Sequence, residues 1–315
     1  MHSRRNFLLS LSAPLALSGA SITPRQRVDR VLAGQDTDRP AFTFWYHFLD
    51  ESQPASVHAE NTLQFHRKFK TDLVKVMSDY PYPKPKGKWH DARVEQNPFP
   101  AQIRSLEIIR DSLNQSAHFI ETIFNPWNVA EKLSSKEEVV RLKQEKPQAL
   151  LDVLEAIAKS EANHARRAIA AGASGIFLAI ANAQEGILSP QDYARFSEPF
   201  DKMVLSAASA APLNTLHLHG DKVYLDRFYS GWHAGVIHYS VHATGVPLSR
   251  ARAHFTGVLM GGIDERNFRT LERVAFKRQV GFEQAGKKYI VAPGCSIPNE
   301  TKDDEIRRFT QMFGV

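Results

Sequence analysis

The feature that most constrains this chain is an alternation. Eight short β-rich runs, at residues 41–48, 72–78, 118–124, 175–181, 213–219, 235–241, 256–263 and 288–294, are separated by longer stretches of helical apolar spacing. Strands that alternate with helices build right-handed β–α–β units and so a parallel sheet. Eight such units in about 270 residues match a closed (β/α)8 barrel in number and in length. The expected fold is therefore α/β, a single-domain TIM-type barrel over residues 21–315. Helix starts between the runs are recognisable: Ser135 with Glu138 makes a capping box, and Ser189 is an N-cap followed by Pro190 at the first helical position. Residues 132–171 read as extra helix before the fourth strand. Residues 81–100, rich in proline and charge, read as a long loop over the barrel mouth or as a disordered insertion.

The first twenty residues fall outside the alternation. Arg4 and Arg5 precede a mildly apolar stretch at 7–17, and Ser18, Gly19 and Ala20 offer a cleavage site. This segment resembles a twin-arginine export signal, which assigns residues 1–20 to a signal peptide and the mature chain to the periplasm. A plain N-terminal helix is disfavoured by Pro14 within the apolar run. The formal charge is +6, but the 40 Lys and Arg are interspersed with 34 Asp and Glu. That distribution suits solubility and mild attraction to anions and excludes a nucleic-acid footprint. No apolar run is long enough to span a bilayer, so no membrane span is expected in the mature chain. Cys295 is the only cysteine, which rules out an intramolecular disulfide. An exposed lone thiol in an oxidising compartment is open to oxidation, so burial or metal binding is the expectation for Cys295.

In a barrel of this kind the site forms at the C-terminal strand ends. The residues there are polar: Asp79; Asn125; Asn182, Gln184 and Glu185; His217 and His219; His238, Tyr239 and His242; Asp264; and Cys295. Residues two apart on a strand share a face, so "LHLHGDK" (216–222) presents His217 and His219 together. Thirteen histidines in 315 residues would give about 0.5 such pairs by chance, so the spacing alone carries little weight. Cys295, at the end of the eighth strand, supplies the weight. Imidazole and thiolate suit Zn²⁺, and three protein ligands leave a fourth position open, the arrangement of catalytic zinc. The alternative is a polar mouth with satisfied histidines and an inert thiol.

Five segments, "RVDRVLAGQDTDRPAF" (27–42), "GILSPQDYARFSEPF" (186–200), "HLHGD" (217–221), "VLMGGID" (258–264) and "VAPGCSIP" (291–298), occur in an order that resembles the uroporphyrinogen decarboxylase superfamily. Within it the likeness is to the zinc-dependent, corrinoid-linked methyltransferases. The resemblance implies a barrel whose zinc sits on a His-x-Cys pair and a distant Cys and activates a thiol to accept a methyl group from a corrinoid protein. His217 matches the histidine and Cys295 the distant cysteine; His219 stands where the near cysteine is expected. Two thiolates would neutralise Zn²⁺, whereas one thiolate and two imidazoles leave +1. That makes a stronger Lewis acid and a less nucleophilic bound thiolate. The decarboxylase branch of the family implies an arginine-rich segment after the first strand, but "FWYHFLDESQP" (44–54) contains no arginine. Asp79 stands where that branch's substrate-binding aspartate is expected.

The sequence thus leads to a zinc-dependent, methyltransferase-like enzyme with a small-molecule substrate and a corrinoid protein as partner. His217, His219 and Cys295 are expected to hold the metal; Asp79, Tyr239 and Asp264 to serve as catalytic groups; and Asn182, Gln184 and His242 to contact substrate. Two other readings stay open: decarboxylation of a tetrapyrrole, and an exported protein that only binds metal or a small ligand.

Overall fold

The computed structural model describes residues 22–48, 50–272 and 286–314. The expected signal segment lies outside the described residues. Eight strands form one parallel sheet: β1 (Ala41–Phe42), β2 (Leu73–Val76), β3 (His118–Phe124), β4 (Ile176–Ile180), β5 (Thr215–Leu218), β6 (Val236–Tyr239), β7 (Val258–Ile263) and β8 (Tyr289–Pro293). Their order is β1-β8-β7-β6-β5-β4-β3-β2, so each strand beyond the first pairs with its sequence neighbour and β1 closes onto β8. All eight expected runs contain one of these strands.

The seam between β1 and β2 is fastened by other bonds. The Asp72 N–H donates to Phe42 O at 2.9 Å, the Thr43 hydroxyl to Leu73 O at 2.8 Å, and the Phe42 N–H to the Asp72 carboxylate at 3.0 Å. Arg27 and Arg39 each reach the same buried carboxylate at 2.6 Å, and Arg27 also binds Asp38 at 2.7 Å. The segment 27–42 is therefore a structural lock at the seam. A buried carboxylate would be costly alone, and here two guanidinium groups and a backbone N–H compensate it.

Strand β1 is shorter than the run at 41–48. Beyond Thr43 the chain leaves the ladder: Trp45 O accepts from Ile297 N–H, at 2.9 Å, in the loop after β8, and Trp45 and His47 turn toward the mouth. Parity divides each strand. On β5, Thr215 and His217 face the barrel interior while Leu216 and Leu218 pack into the layer between sheet and helices; Phe177 on β4 and Met260 on β7 are interior in the same way.

Helix α1 (Pro24–Ala33) precedes β1, and the helices between strands include α2 (Ala55–Phe69) and α3 (Pro100–Leu113), followed by α4 (Pro126–Leu133), α5 (Lys136–Glu145) and α6 (Pro147–Ala170), the extra helical stretch expected before β4. Helix α6 buries Leu150, Val153, Leu154 and Ile157 along one stripe, each worth about 1.5–3 kcal/mol of transferred apolar surface. Ser135 does cap α5 by accepting from Glu138 N–H at 3.2 Å, but only half of the capping box forms, because the Glu138 carboxylate is taken by Arg141. Ser189 caps α7 (Pro190–Phe196), with Pro190 at its first position. After β6 come the short helices α9 (Val241–Thr244) and α10 (Leu248–Arg252), and α8 (Glu198–Ser206) precedes β5.

The segment 81–100 is ordered and is not a lid. It is pinned to α6 by Ser160, whose hydroxyl donates to Ala156 O at 2.8 Å and accepts from Glu95 N–H at 2.9 Å, and by Asn163 and Arg167, which donate to Glu95 O and Gln96 O. Tyr82, Ala92 and Phe99 enter the core beneath it. Three apolar anchors and these side-chain bonds hold it on the flank of the barrel.

Candidate metal centre at the barrel mouth

His217 and His219 project from the end of β5 on one face, and Cys295 comes to meet them from the turn after β8. Two glycines permit this. A Cβ at Gly294 would lie 2.4 Å from Ser240 Cα, so only glycine lets the chain pass the end of β6 before Cys295. Gly220 has φ of +132°, and a Cβ there would collide with the Gln184 amide at 2.2 Å. That amide donates to Ala181 O at 2.6 Å and to His219 O at 3.0 Å, which braces the backbone of His219.

The Cys295 sulfur lies 3.8 Å from His217 Nε2 and 3.5 Å from His219 Nδ1, and the three donor atoms fall within 4.8 Å of one another. A tetrahedral zinc with ordinary Zn–S and Zn–N bonds requires S···N edges of about 3.5 Å. The donor set fits such an ion in type and in spacing. It is the one group of three metal-capable side chains found among the described residues.

His238 orients the pair. Register places it directly opposite His217, and their Nδ1 atoms are 2.7 Å apart. His238 Nε2 lies 2.8 Å from Pro293 O, a group that only accepts. His238 therefore donates through Nε2, its Nδ1 is the acceptor, and His217 donates through its own Nδ1. The His217 Nε2 lone pair is left facing Cys295. Both rings must be neutral for this chain of bonds. Burial, reinforced by the charge of neighbouring imidazoles and Lys75, holds His217 well below the ordinary histidine range, and burial brings His238 down to about 4. Such a relay to a backbone carbonyl is how metal-bound histidines are commonly fixed in one tautomer.

His219 is the exposed member. Its contact with Cys295 raises it above the usual histidine value. For Cys295, burial pushes the thiol up, but the hydrogen bond and charge of His219 outweigh this and bring it below the ordinary thiol value. The sulfur is thus poised toward thiolate, the form that binds metal. The partial burial of Cys295 agrees with the expectation for a lone thiol.

The other expected site residues separate into two groups. Asn182 and Gln184 line a cavity of about 590 Å³ beside His219 and Cys295. Asn182 is held by bonds from Asn125 at 2.8 Å and to Ser197 at 2.8 Å. Asp79, Tyr239, Asp264 and His242 are not among the residues lining that cavity or the adjoining one of about 490 Å³. The Asp79 carboxylate is buried 3.5 Å from His58 Nε2. Tyr239 is fully buried in the layer behind the sheet, because His238 takes the inward parity on β6. Asp264 accepts from Arg266 N–H at 3.1 Å and Asn267 Nδ2 at 2.7 Å, closing the turn after β7. His242 bonds Gly262 O at 3.1 Å and ties α9 to β7.

Four further residues belong to the site, His238 beneath the triad and three that line the cavities. In the sequence His238 is only a polar strand end, and Glu265, one residue past Asp264, lines the larger cavity while bonded by Ser240 Oγ at 2.9 Å. His47 and Lys75 line the smaller one. The signal for Lys75 was present: a lysine in the middle of an otherwise apolar strand, "LVKV", each position of which is buried.

Fold and site together define a (β/α)8 barrel with a constellation of three metal-capable donors at the C-terminal strand ends. The sequence matches the family model described as uroporphyrinogen decarboxylase (URO-D) over residues 83–313, and the chain belongs to that family. No curated protein matches it. Among solved structures it is similar to a methyltransferase from Methanosarcina mazei, with a TM-score of 0.75 at 15% identity over 93% of this chain and 99% of that one. It also resembles a B12-independent methionine synthase from Shewanella sp. W3-18-1 (TM-score 0.56, 10% identity, 87% and 95% covered). A putative vitamin-B12 independent methionine synthase from Listeria monocytogenes gives 0.55 at 9% identity, with 82% and 86% covered. At such identities these likenesses establish the fold.

Proposed function

We propose that this protein is a zinc-dependent, methyltransferase-like enzyme that activates a thiol, or a related nucleophile, at the barrel mouth. The observation that carries the reading is the convergence of His217, His219 and Cys295 at zinc-compatible spacing, with His217 locked into the metal-binding tautomer through His238 and Pro293 O. When bound, zinc supplies Lewis acidity that lowers the pKa of a coordinated thiol. The protein's part is positional. His217, neutral and buried, and Cys295, biased toward thiolate, would hold the ion, and His219 would complete the set from the exposed side, beside the cavities that Cys295 and His219 line. Glu265, fixed by Ser240, faces the same space and stands ready to take a proton. A corrinoid protein is the methyl donor implied by the family branch, and the N-terminal segment implies export to the periplasm.

The test is elemental analysis of purified protein, followed by assays with small thiols and methylated corrinoid. Near-stoichiometric zinc that falls in both His219→Ala and Cys295→Ala supports the reading. Protein that stays metal-free after zinc is supplied overturns it and returns tetrapyrrole binding to the front.

A further inference from the structure

Lys75 is buried on the interior face of β2, 8% exposed, with its ammonium 4.9 Å from the centroid of the Trp45 ring and 4.7 Å from that of Phe177. Its hydrogen-bond partner is the Met77 thioether, at 2.8 Å. Among the described residues no carboxylate oxygen lies within the 4.0 Å of an ion pair, although Cys295, Asp79 and Glu121 act on it from further off. Burying an ammonium without a counter-ion is among the costliest things a fold can do. Cation–π contacts recover only a part. Burial accordingly depresses Lys75 from the ordinary lysine value to about 7.

The surroundings show what would complete it. Lys75 lines the cavity of about 490 Å³ that also contains His217, His219 and Cys295, and its walls include Trp45, Met77, Phe124, Phe177 and Ala179. Lys132 and Lys136 stand at the same cavity from α4 and α5. The acid that shares it, Glu131, is already engaged by Trp127 Nε1 at 2.8 Å and Asn128 Nδ2 at 3.0 Å. Phe177 is the spacer: one side faces Lys75, and the His217 ring stacks on it at 4.9 Å and 26°. A ligand lying along Phe177 would bring its far end to the metal-binding triad while an anionic group met Lys75.

We propose that this cavity binds a small carboxylate with an apolar, ring-sized body, the carboxylate pairing with Lys75 and the opposite end presented to His217, His219 and Cys295. The inference takes the substrate site of the proposed function to be this cavity, but the binding it describes does not depend on zinc or on turnover. Such an anion supplies the charge missing beside Lys75, and desolvation makes the pair strong and selective against uncharged analogues.

The experiment compares benzoate with its neutral isostere benzamide by titration calorimetry on the full-length protein, with Trp fluorescence as a second readout and zinc content measured on the same samples. Wild-type protein is expected to bind benzoate about tenfold or more tightly than benzamide. Lys75→Met should erase the preference and Lys75→Arg retain part of it, with zinc content and thermal midpoint at or above wild type in Lys75→Met. Equal affinity for the two probes, binding of neither, or a preference that survives Lys75→Met would overturn the proposal. Loss of zinc binding with the benzoate preference intact would count against the metal reading alone.

Discussion

The two faces of the same strands carry polar clusters of opposite character. On the inner face, the donor atoms of His217, His219 and Cys295 lie within 4.8 Å of one another, and Lys75 sits near them with no carboxylate at pairing distance among the described residues. On the outer face, Asn125, beyond β3, bonds Asn182, Ser197 and Asp201; Tyr193 and Ser197 also bond Asp201. The outer cluster spends its donors on its own acceptors and glues α7 and α8 to the sheet. The inner cluster keeps valences open. A satisfied buried network stabilises a fold, whereas an unsatisfied one costs stability and is found where a ligand completes it.

Substitutions on the two faces should therefore behave differently, and metal content is the sharpest measure. Cys295→Ala is expected to reduce zinc from near one per chain to near zero, read by elemental analysis, with the fold retained by circular dichroism. His238→Ala should weaken zinc about 10–100-fold in competition with a chromophoric chelator, because His217 loses the partner that fixes its tautomer. If zinc binding in His238→Ala equals wild type, the relay to Pro293 O has no role.

On the outer face, Asp201→Ala should leave zinc unchanged but destabilise the fold by about 3 kcal/mol in urea unfolding, since Asn125, Tyr193 and Ser197 would all lose an acceptor. Zinc loss in that variant at a temperature where it is folded would break the division between faces. Lys75 should show the opposite sign. Its folded-state value of about 7 lies below the unfolded 10.5, so between these values the unfolded chain binds the extra proton. Stability should rise with pH across that window, and the cost of the buried charge is fully present below pH 7. Lys75→Met should flatten this dependence and raise the stability at pH 6 by a few kcal/mol, as followed by urea unfolding at several pH values. The smallest effect is expected for Asp264→Asn, which keeps part of the turn after β7: about 1 kcal/mol or less, with zinc unchanged.

Much of the barrel and part of its site were legible in the chain. Period-two spacing put His217 and His219 on one side at the end of β5, and the structure brings them together with Cys295 beyond β8. Tyr239 and Asp264 show where this legibility stopped. Each lies next to a residue that does join the site, His238 beneath His217 and Glu265 at the cavity, and a shift of one position exchanges the faces of a strand. Which parity applies follows from the pairing of His217 with His238, a contact across 21 residues that no local pattern encodes. The lid expected over the mouth failed for a related reason: residues 81–100 look like free loop by composition, yet Tyr82, Ala92 and Phe99 find an apolar seat that exists only once α6 is packed.

By itself, then, the sequence determined the strand–helix alternation, the barrel it implies and the donor types at the strand ends, because these depend on periodicity and side-chain chemistry. The tertiary structure alone decided which polar residues face the cavity, which tautomer His217 adopts and that Lys75 is buried with no counter-ion among the described residues, because register, burial and electrostatic environment are properties of residues distant in the chain and brought together only by closure of the barrel.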